Sequence, residues 1–342
     1  MKAWLLNRIS NLDTASNPLE LADIPVPEPK YSEILIKVLC CGICHTELDE
    51  IEGRTPPQQY PIIPGHQVVG IVEKCGKHTN FIKNGDRVGV AWIFAACGQC
   101  EYCVTGMENL CPSFKATGRD NNGGYAQYMV VDERFAYSIP STFSDIEAAP
   151  LLCAGAIGYR SLMLTVITDG QTLGLTGFGA SGHLVLKMAL HLYPNSPVYV
   201  FARSKDEQKF ALDLGATWAG KITDTPPQKT NAIIDTTPVW STAIDSLLHL
   251  KPGGRLVINA IRKESSDLDA LLNISYQDHL WMEKEIKTVA NITRTDVSEF
   301  LTLAASIPII PAVETYPFDK ANEAIMDLKH KHVMGAKVLV CG

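Results

Sequence analysis

The stretch Thr172-Leu173-Gly174-Leu175-Thr176-Gly177-Phe178-Gly179-Ala180-Ser181-Gly182 decides the fold. Its first five residues form a short apolar run of strand length. Its last six, Gly177, Phe178, Gly179, Ala180, Ser181 and Gly182, spell G-x-G-x-x-G. The pattern behind them predicts a long amphipathic helix to about His191, and a second apolar run follows at Val198-Tyr199-Val200-Phe201. Glycines at this spacing permit a tight turn and let backbone N–H groups approach a pyrophosphate at the helix N-terminus. Alone the motif is weak, because glycine turns are common; a strand before it and a helix after it make it a dinucleotide site. Further strand-like runs at Ala232-Ile233-Ile234 and Arg255-Leu256-Val257-Ile258 continue the alternation, and residues 154–168 read as a helix leading into it. Strands alternating with helices imply βαβ units, so this region is expected to be a Rossmann-type, doubly wound parallel sheet of the α/β class.

The first 150 residues have a different texture. They are rich in Gly and Pro, with short strand-like runs such as Ile34-Leu35-Ile36-Lys37-Val38 and Tyr128-Met129-Val130-Val131, as in a compact β-rich domain. The tail, Ala336-Lys337-Val338-Leu339-Val340, is strand-like again and is expected to return to that first domain. A chain of 342 residues suffices for two such domains. Hydrophobic residues at 46% and charged residues at 20% give the balance of a soluble globular protein. No run approaches the ~20 apolar residues of a membrane span, and the first residues lack a secretory pattern, which predicts a cytoplasmic chain without a membrane partner. A net charge of −7 argues against a nucleic-acid partner, since phosphate backbones recruit basic patches.

Ten cysteines are many for a reducing compartment, and their spacing matters more than their number. Cys97, Cys100, Cys103 and Cys111 crowd into one segment, C-x2-C-x2-C-x7-C. Four thiolates can close a tetrahedron around zinc and leave no open position, so the site is expected to be structural; an iron–sulfur cluster would use similar ligands. Cys40, Cys41, Cys44, Cys75, Cys153 and Cys341 are scattered. Cys40 and Cys41 beside Cys44 are read as buried strand residues, with a redox sensor as the competing reading.

Two further segments carry unusual chemistry, Gly42-Ile43-Cys44-His45-Thr46-Glu47 and Pro64-Gly65-His66-Gln67-Val68-Val69-Gly70. Each is weak by itself. Together with the cysteine cluster, with Gly123-Gly124-Tyr125-Ala126-Gln127-Tyr128, with Leu152-Cys153-Ala154-Gly155 and with Phe318-Asp319-Lys320-Ala321-Asn322-Glu323-Ala324, the chain resembles the zinc-containing medium-chain alcohol dehydrogenases along its whole length. It looks most like the bacterial type acting on small primary alcohols.

That resemblance implies a GroES-like, distorted β-barrel catalytic domain (residues 1–153 and 296–342) with the Rossmann domain (154–295) inserted, the active site in the cleft between them, and a homo-oligomer, dimer or tetramer. Cys44, His66 and Cys153 would hold a catalytic zinc, giving two zinc ions per chain, with a fourth position open to water or to the oxygen of a small alcohol or aldehyde. Thr46 stands where the family places the hydroxyl that takes the alcohol proton, and His45 would lie near the cofactor pyrophosphate. Trp92 stands where relatives put a bulky wall of the substrate pocket, which favours small alcohols.

There are departures from the family pattern. Gln67 replaces a Glu that follows the ligand histidine, and Ile157 replaces a Thr that faces the nicotinamide. Asp49 stands where many relatives end the proton relay with His. Glu47 stands where relatives usually have Asp and is expected to accept a hydrogen bond from His66. The second strand ends Phe201-Ala202-Arg203-Ser204, without the carboxylate that binds ribose hydroxyls. Ala202, Arg203 and Ser204 therefore lean the cofactor choice toward NADP(H) over NAD(H), although Ser204-Lys205-Asp206-Glu207 also matches a helix capping box. The competing functions are a zinc dehydrogenase for polyols, secondary alcohols or aromatic aldehydes, and a non-catalytic NADPH-binding relative.

Overall fold

A computed structural model describes residues 1–307, 309–331 and 335–341, with the side chain of Ala180 outside the described set. The chain divides into two compact units, Met1–Cys153 with Ile292–Gly342, and Ala154–Asn291.

The second unit is built on six parallel strands, in the spatial order Trp218–Gly220, Val198–Phe201, Leu173–Thr176, Thr230–Asp235, Leu250–Ile258 and Glu285–Thr288. Numbered along the chain this is 3-2-1-4-5-6, the doubly wound order whose ligands bind where the order reverses, between its first and fourth strands. All four residues of Leu173–Thr176 and of Val198–Phe201 are buried. A strand covered on both faces reads as an unbroken apolar run, and each fully buried Leu or Val there contributes roughly 1.5–3 kcal/mol. The helix Ala180–Leu192 buries Leu184, Val185, Leu186, Met188 and Ala189, with Val185 and Met188 beside Gly158. The helix Lys205–Asp213 starts in a capping box in which Ser204 Oγ accepts from Glu207 N at 3.1 Å.

In the first unit the strand Glu33–Ile43 is central. It pairs antiparallel with Val68–Cys75, with Tyr128–Asp132 and with the tail strand Ala336–Val340, which places Val338 opposite Gly42. Immediately after this strand, Cys44 caps the helix His45–Ile51. Sheet pairing thus fixes the point from which the Cys44–Glu47 segment projects.

The helix expected over 154–168 is shorter and differently begun. It spans Ala156–Leu164 and is preceded by a π-helical turn, Leu151–Gly155, that carries Cys153. The wider turn re-aims one side chain without ending the helical path, a feature that recurs at functional sites. At the far end Val166 has a positive φ of 52°, which no helix continues through. No helix among the described residues is long and apolar enough to cross a membrane.

Candidate active site and metal centres

The helix His45–Ile51 organises the first cluster. Cys44 takes the N-cap position, and its sulfur accepts from Thr46 N at 3.4 Å. Glu47, three residues on, reaches back with Oε2 to Cys44 N at 2.8 Å, while its Oε1 lies 2.6 Å from His66 Nδ1. One carboxylate therefore orients both residues, and it fixes the imidazole tautomer so that Nε2 is left for a metal. That Nε2 lies 3.6 Å from Cys44 Sγ and 3.3 Å from Cys153 Sγ. Zinc held tetrahedrally at its usual bond lengths keeps a sulfur and a nitrogen ligand about 3.5 Å apart. The donor atoms of Cys44, His66 and Cys153 all lie within 4.8 Å of one another.

The charges support the same fit. The Cys44 thiol is held well above its ordinary range, first by the adjacent Cys153 and then by burial. Two sulfurs this close, beside a buried carboxylate, ionise together only around a cation.

Cys97, Cys100, Cys103 and Cys111 form the second cluster, also with sulfurs within 4.8 Å of one another. Cys97 Sγ is 3.8 Å from Cys103 Sγ, close to the spacing of about 3.8 Å across a tetrahedral zinc–thiolate centre. Backbone amides point at the sulfurs: Cys100 N at Cys97 Sγ (3.4 Å), Cys97 N at Cys111 Sγ (3.4 Å) and Ser113 N at Cys111 Sγ (3.3 Å). Hydrogen bonds from the amides of Gln99 and Cys100 bring the Cys97 thiol down to about 6. Thiolates solvated by amides suit a metal, and no disulfide links any of the ten cysteines.

Trp92 is 5% exposed and meets His66 edge-on, with ring centroids 5.0 Å apart and planes at 88°. Its face carries the Arg119 guanidinium at 5.5 Å, and Arg119 Nη2 is bonded to Asp120 at 2.8 Å. Thr46 is buried and His45 exposed at the first turn of the helix. Asp49 is buried and ion-paired with Arg54 at 2.5 Å. Gln67 is buried with its Nε2 unpartnered, and its backbone oxygen accepts from Gly42 N at 2.9 Å. Arg119, Asp120 and Arg54 were not singled out in the sequence. Nor was Glu50, 1% exposed, whose carboxyl burial holds well above the usual carboxylate range. The available signal was the four-residue interval from Thr46 to Glu50, which puts both on one helix face.

In the second unit the glycine turn leaves the C-terminal end of Leu173–Thr176. Gly177 has φ 78°, and a Cβ there would sit 2.7 Å from Thr236 Oγ1. A Cβ on Gly182 would sit 2.8 Å from Gly177 O, whereas one on Gly179 would meet nothing within 4 Å. The first and third glycines are thus required by packing, and the middle one faces open space at the helix N-terminus, as a cradle for phosphate does. Phe178 is buried, Ser181 half-buried, and the segment Thr236-Thr237 follows the fourth strand on the opposite flank of the switch point. Ala202 is buried and Arg203 exposed; the Ser204 hydroxyl is engaged in the helix cap, which favours the capping reading of that residue.

Residues 30–141 match the alcohol dehydrogenase GroES-like domain. The chain is 40% identical to the probable alcohol dehydrogenase AdhA of Mycobacterium tuberculosis, over 99% of this chain and 97% of that protein. The chain belongs to the zinc-type medium-chain alcohol dehydrogenases. An alcohol dehydrogenase of Geobacillus stearothermophilus is 33% identical, over 99% of this chain and 98% of its own. Among solved structures, a cinnamyl alcohol dehydrogenase of Sorghum bicolor superposes with a TM-score of 0.82 at 27% identity, covering 99% of this chain and 97% of that one. As a medium-chain alcohol dehydrogenase the chain is an NAD(P)-dependent oxidoreductase of alcohols and aldehydes that uses zinc and a nicotinamide cofactor.

Proposed function

We propose that the dehydrogenase oxidises small primary alcohols, and reduces the matching aldehydes, at a centre held by Cys44, His66 and Cys153, with a second zinc held by Cys97, Cys100, Cys103 and Cys111. The observation that carries this reading is the convergence of one imidazole nitrogen and two sulfurs, with Glu47 fixing two of the three residues. When bound, zinc supplies a Lewis acid with one free position, and the nicotinamide supplies the hydride acceptor or donor. The protein supplies orientation and proton handling. Thr46 Oγ1 takes the alcohol proton. Asp49, where many relatives have the relay histidine, is instead engaged in an ion pair with Arg54. Trp92, edge-on to His66, closes one side of the substrate space and keeps it short. Gly177, Gly179 and Gly182 receive the pyrophosphate, Arg203 pairs with the 2′-phosphate, and NADP(H) is the favoured cofactor.

Metal analysis together with a steady-state survey of alcohols tests the reading. Two zinc ions are expected per chain, one of them lost in Cys153→Ala together with activity. Trp92→Ala is expected to shift preference toward branched or longer alcohols. Substantial turnover by Cys153→Ala rules out the assigned centre, and an unchanged substrate profile in Trp92→Ala returns that residue to plain packing.

A further inference from the structure

In the first unit both carboxylate oxygens of Glu50, Thr55 Oγ1, Gln67 Nε2 and Tyr125 Oη are buried without hydrogen-bond partners, and Thr55 N donates to Asp49 O, the residue before Glu50, at 3.1 Å. Leaving such groups unpaired is costly, and more so for a charge, so each requires an explanation. Glu50 lies one helical turn beyond Thr46, on the same face of His45–Ile51. The charges acting on it belong to Glu47, His66, Arg119 and Asp120, and it acts in turn on Tyr125 and Tyr60. The carboxylate is therefore within electrostatic reach of the ligand histidine and of Arg119, whose guanidinium covers Trp92.

None of these neighbours satisfies it. Glu47 is spent on Cys44 and His66, and Asp120 can only accept. Arg119 directs Nε and Nη2 at Asp120, at 3.1 and 2.8 Å. The Glu50 carboxylate receives no hydrogen bond from the described residues, so a ligand that donates to it is called for. A hydroxyl fits best, because it can donate to Glu50 while accepting from Thr55 or Tyr125.

We propose that Glu50, with Thr55 and Tyr125, binds a second hydroxyl of the substrate, so that the preferred substrates are small diols or triols rather than simple alkanols. The inference rests on the reaction proposed above and names its substrate class. The reacting hydroxyl is handled by Thr46, and the second is received one helical turn away, which suits carbon chains of three or four atoms. Trp92 limits length, and Glu50 rewards a polar far end. The pair selects for short, hydroxylated molecules.

The test compares kcat/KM of the zinc-loaded enzyme for propane-1,3-diol against propan-1-ol and for butane-1,4-diol against butan-1-ol, each corrected twofold for the two equivalent ends. A preference for the diol of at least about tenfold is expected in the wild type. That ratio should fall about tenfold or more in Glu50→Leu and in Thr55→Val. Diol-dependent protection in thermal melts, read without turnover, should be present in the wild type and lost in Glu50→Leu. A wild-type ratio near one, or a ratio and protection unchanged in the variants, overturns the proposal. If Glu50→Leu does not fold, the wild-type ratio and Thr55→Val decide. Absence of turnover with every alcohol would overturn the proposed reaction instead, while the melts would still decide whether the diol is bound.

Discussion

Glu47 grips His66: its Oε1 lies 2.6 Å from the histidine Nδ1, and neither side chain is more than 1% exposed. The same carboxylate's other oxygen holds the backbone of Cys44, so two ligand residues from distant parts of the chain share one orienting group. Glu47→Ala is expected to weaken zinc at this centre about 10–100-fold, the usual effect of removing such a partner. Chelator competition should show one zinc leaving early while the four-cysteine centre keeps its own. Equal release of both metals from wild type and variant would count against this role.

Thr46 is the hydroxyl assigned to proton transfer. Thr46→Val keeps the shape of the side chain and removes its oxygen, and turnover should drop roughly 10²–10⁴-fold. Thr46→Ser should restore most of the rate. Near-normal rates in the valine variant would mean that water takes the proton directly.

Lys263 and Asp235 form a buried ion pair in the second unit, with side chains 7% and 0% exposed. Asp235 also accepts from Thr176 Oγ1 at 2.6 Å and Thr237 Oγ1 at 2.8 Å, and Lys263 Nζ donates to Thr237 O and Val239 O. This knot sets the loop whose Thr236 crowds the Gly177 turn. Lys263→Met strands a buried carboxylate and should cost about 3–5 kcal/mol in denaturant unfolding, with a raised cofactor KM. Lys263→Met combined with Asp235→Asn should recover part of that loss. A stability change under about 1 kcal/mol would show that the pair carries no such burden.

Cofactor choice turns on Arg203, because Ala202 can neither bind ribose hydroxyls nor repel a 2′-phosphate and the Ser204 hydroxyl is engaged in a cap. NADPH should be used at least as well as NADH, and Arg203→Ala should lower kcat/KM for NADPH selectively. An NADH preference of tenfold or more, about 1.4 kcal/mol, combined with an NADPH value indifferent to Arg203→Ala, would reverse this assignment.

The sequence by itself determined the parts whose chemistry is local. Cys97 to Cys111 lie close enough along the chain for their spacing to announce a metal centre. The glycines of 177–182 declare themselves because a strand precedes them and a helix follows. The unbroken apolar runs at Leu173–Thr176 and Val198–Phe201 are the mark of strands buried on both faces, which implies the parallel sheet before any pairing is known. The helix start at Ser204 is written in a four-residue capping box.

Only the tertiary structure decided what depends on groups distant in sequence. Cys44, His66 and Cys153 meet because sheet pairing fixes where Cys44 projects and a π-helical turn re-aims Cys153; no periodicity encodes that turn. The Lys263–Asp235 pair spans 28 residues and the Glu108–Arg294 pair 186, and charges at such separations look like ordinary surface residues in a sequence. Glu50 is the sharpest case. A glutamate in a short helix reads as solvated, and only packing around His45–Ile51 reveals that this one is buried with no described residue bonded to its carboxylate. The physical reason is general: burial and hydrogen-bond satisfaction are properties of the whole fold, so the residues whose roles rest on them become visible only when the chain is closed.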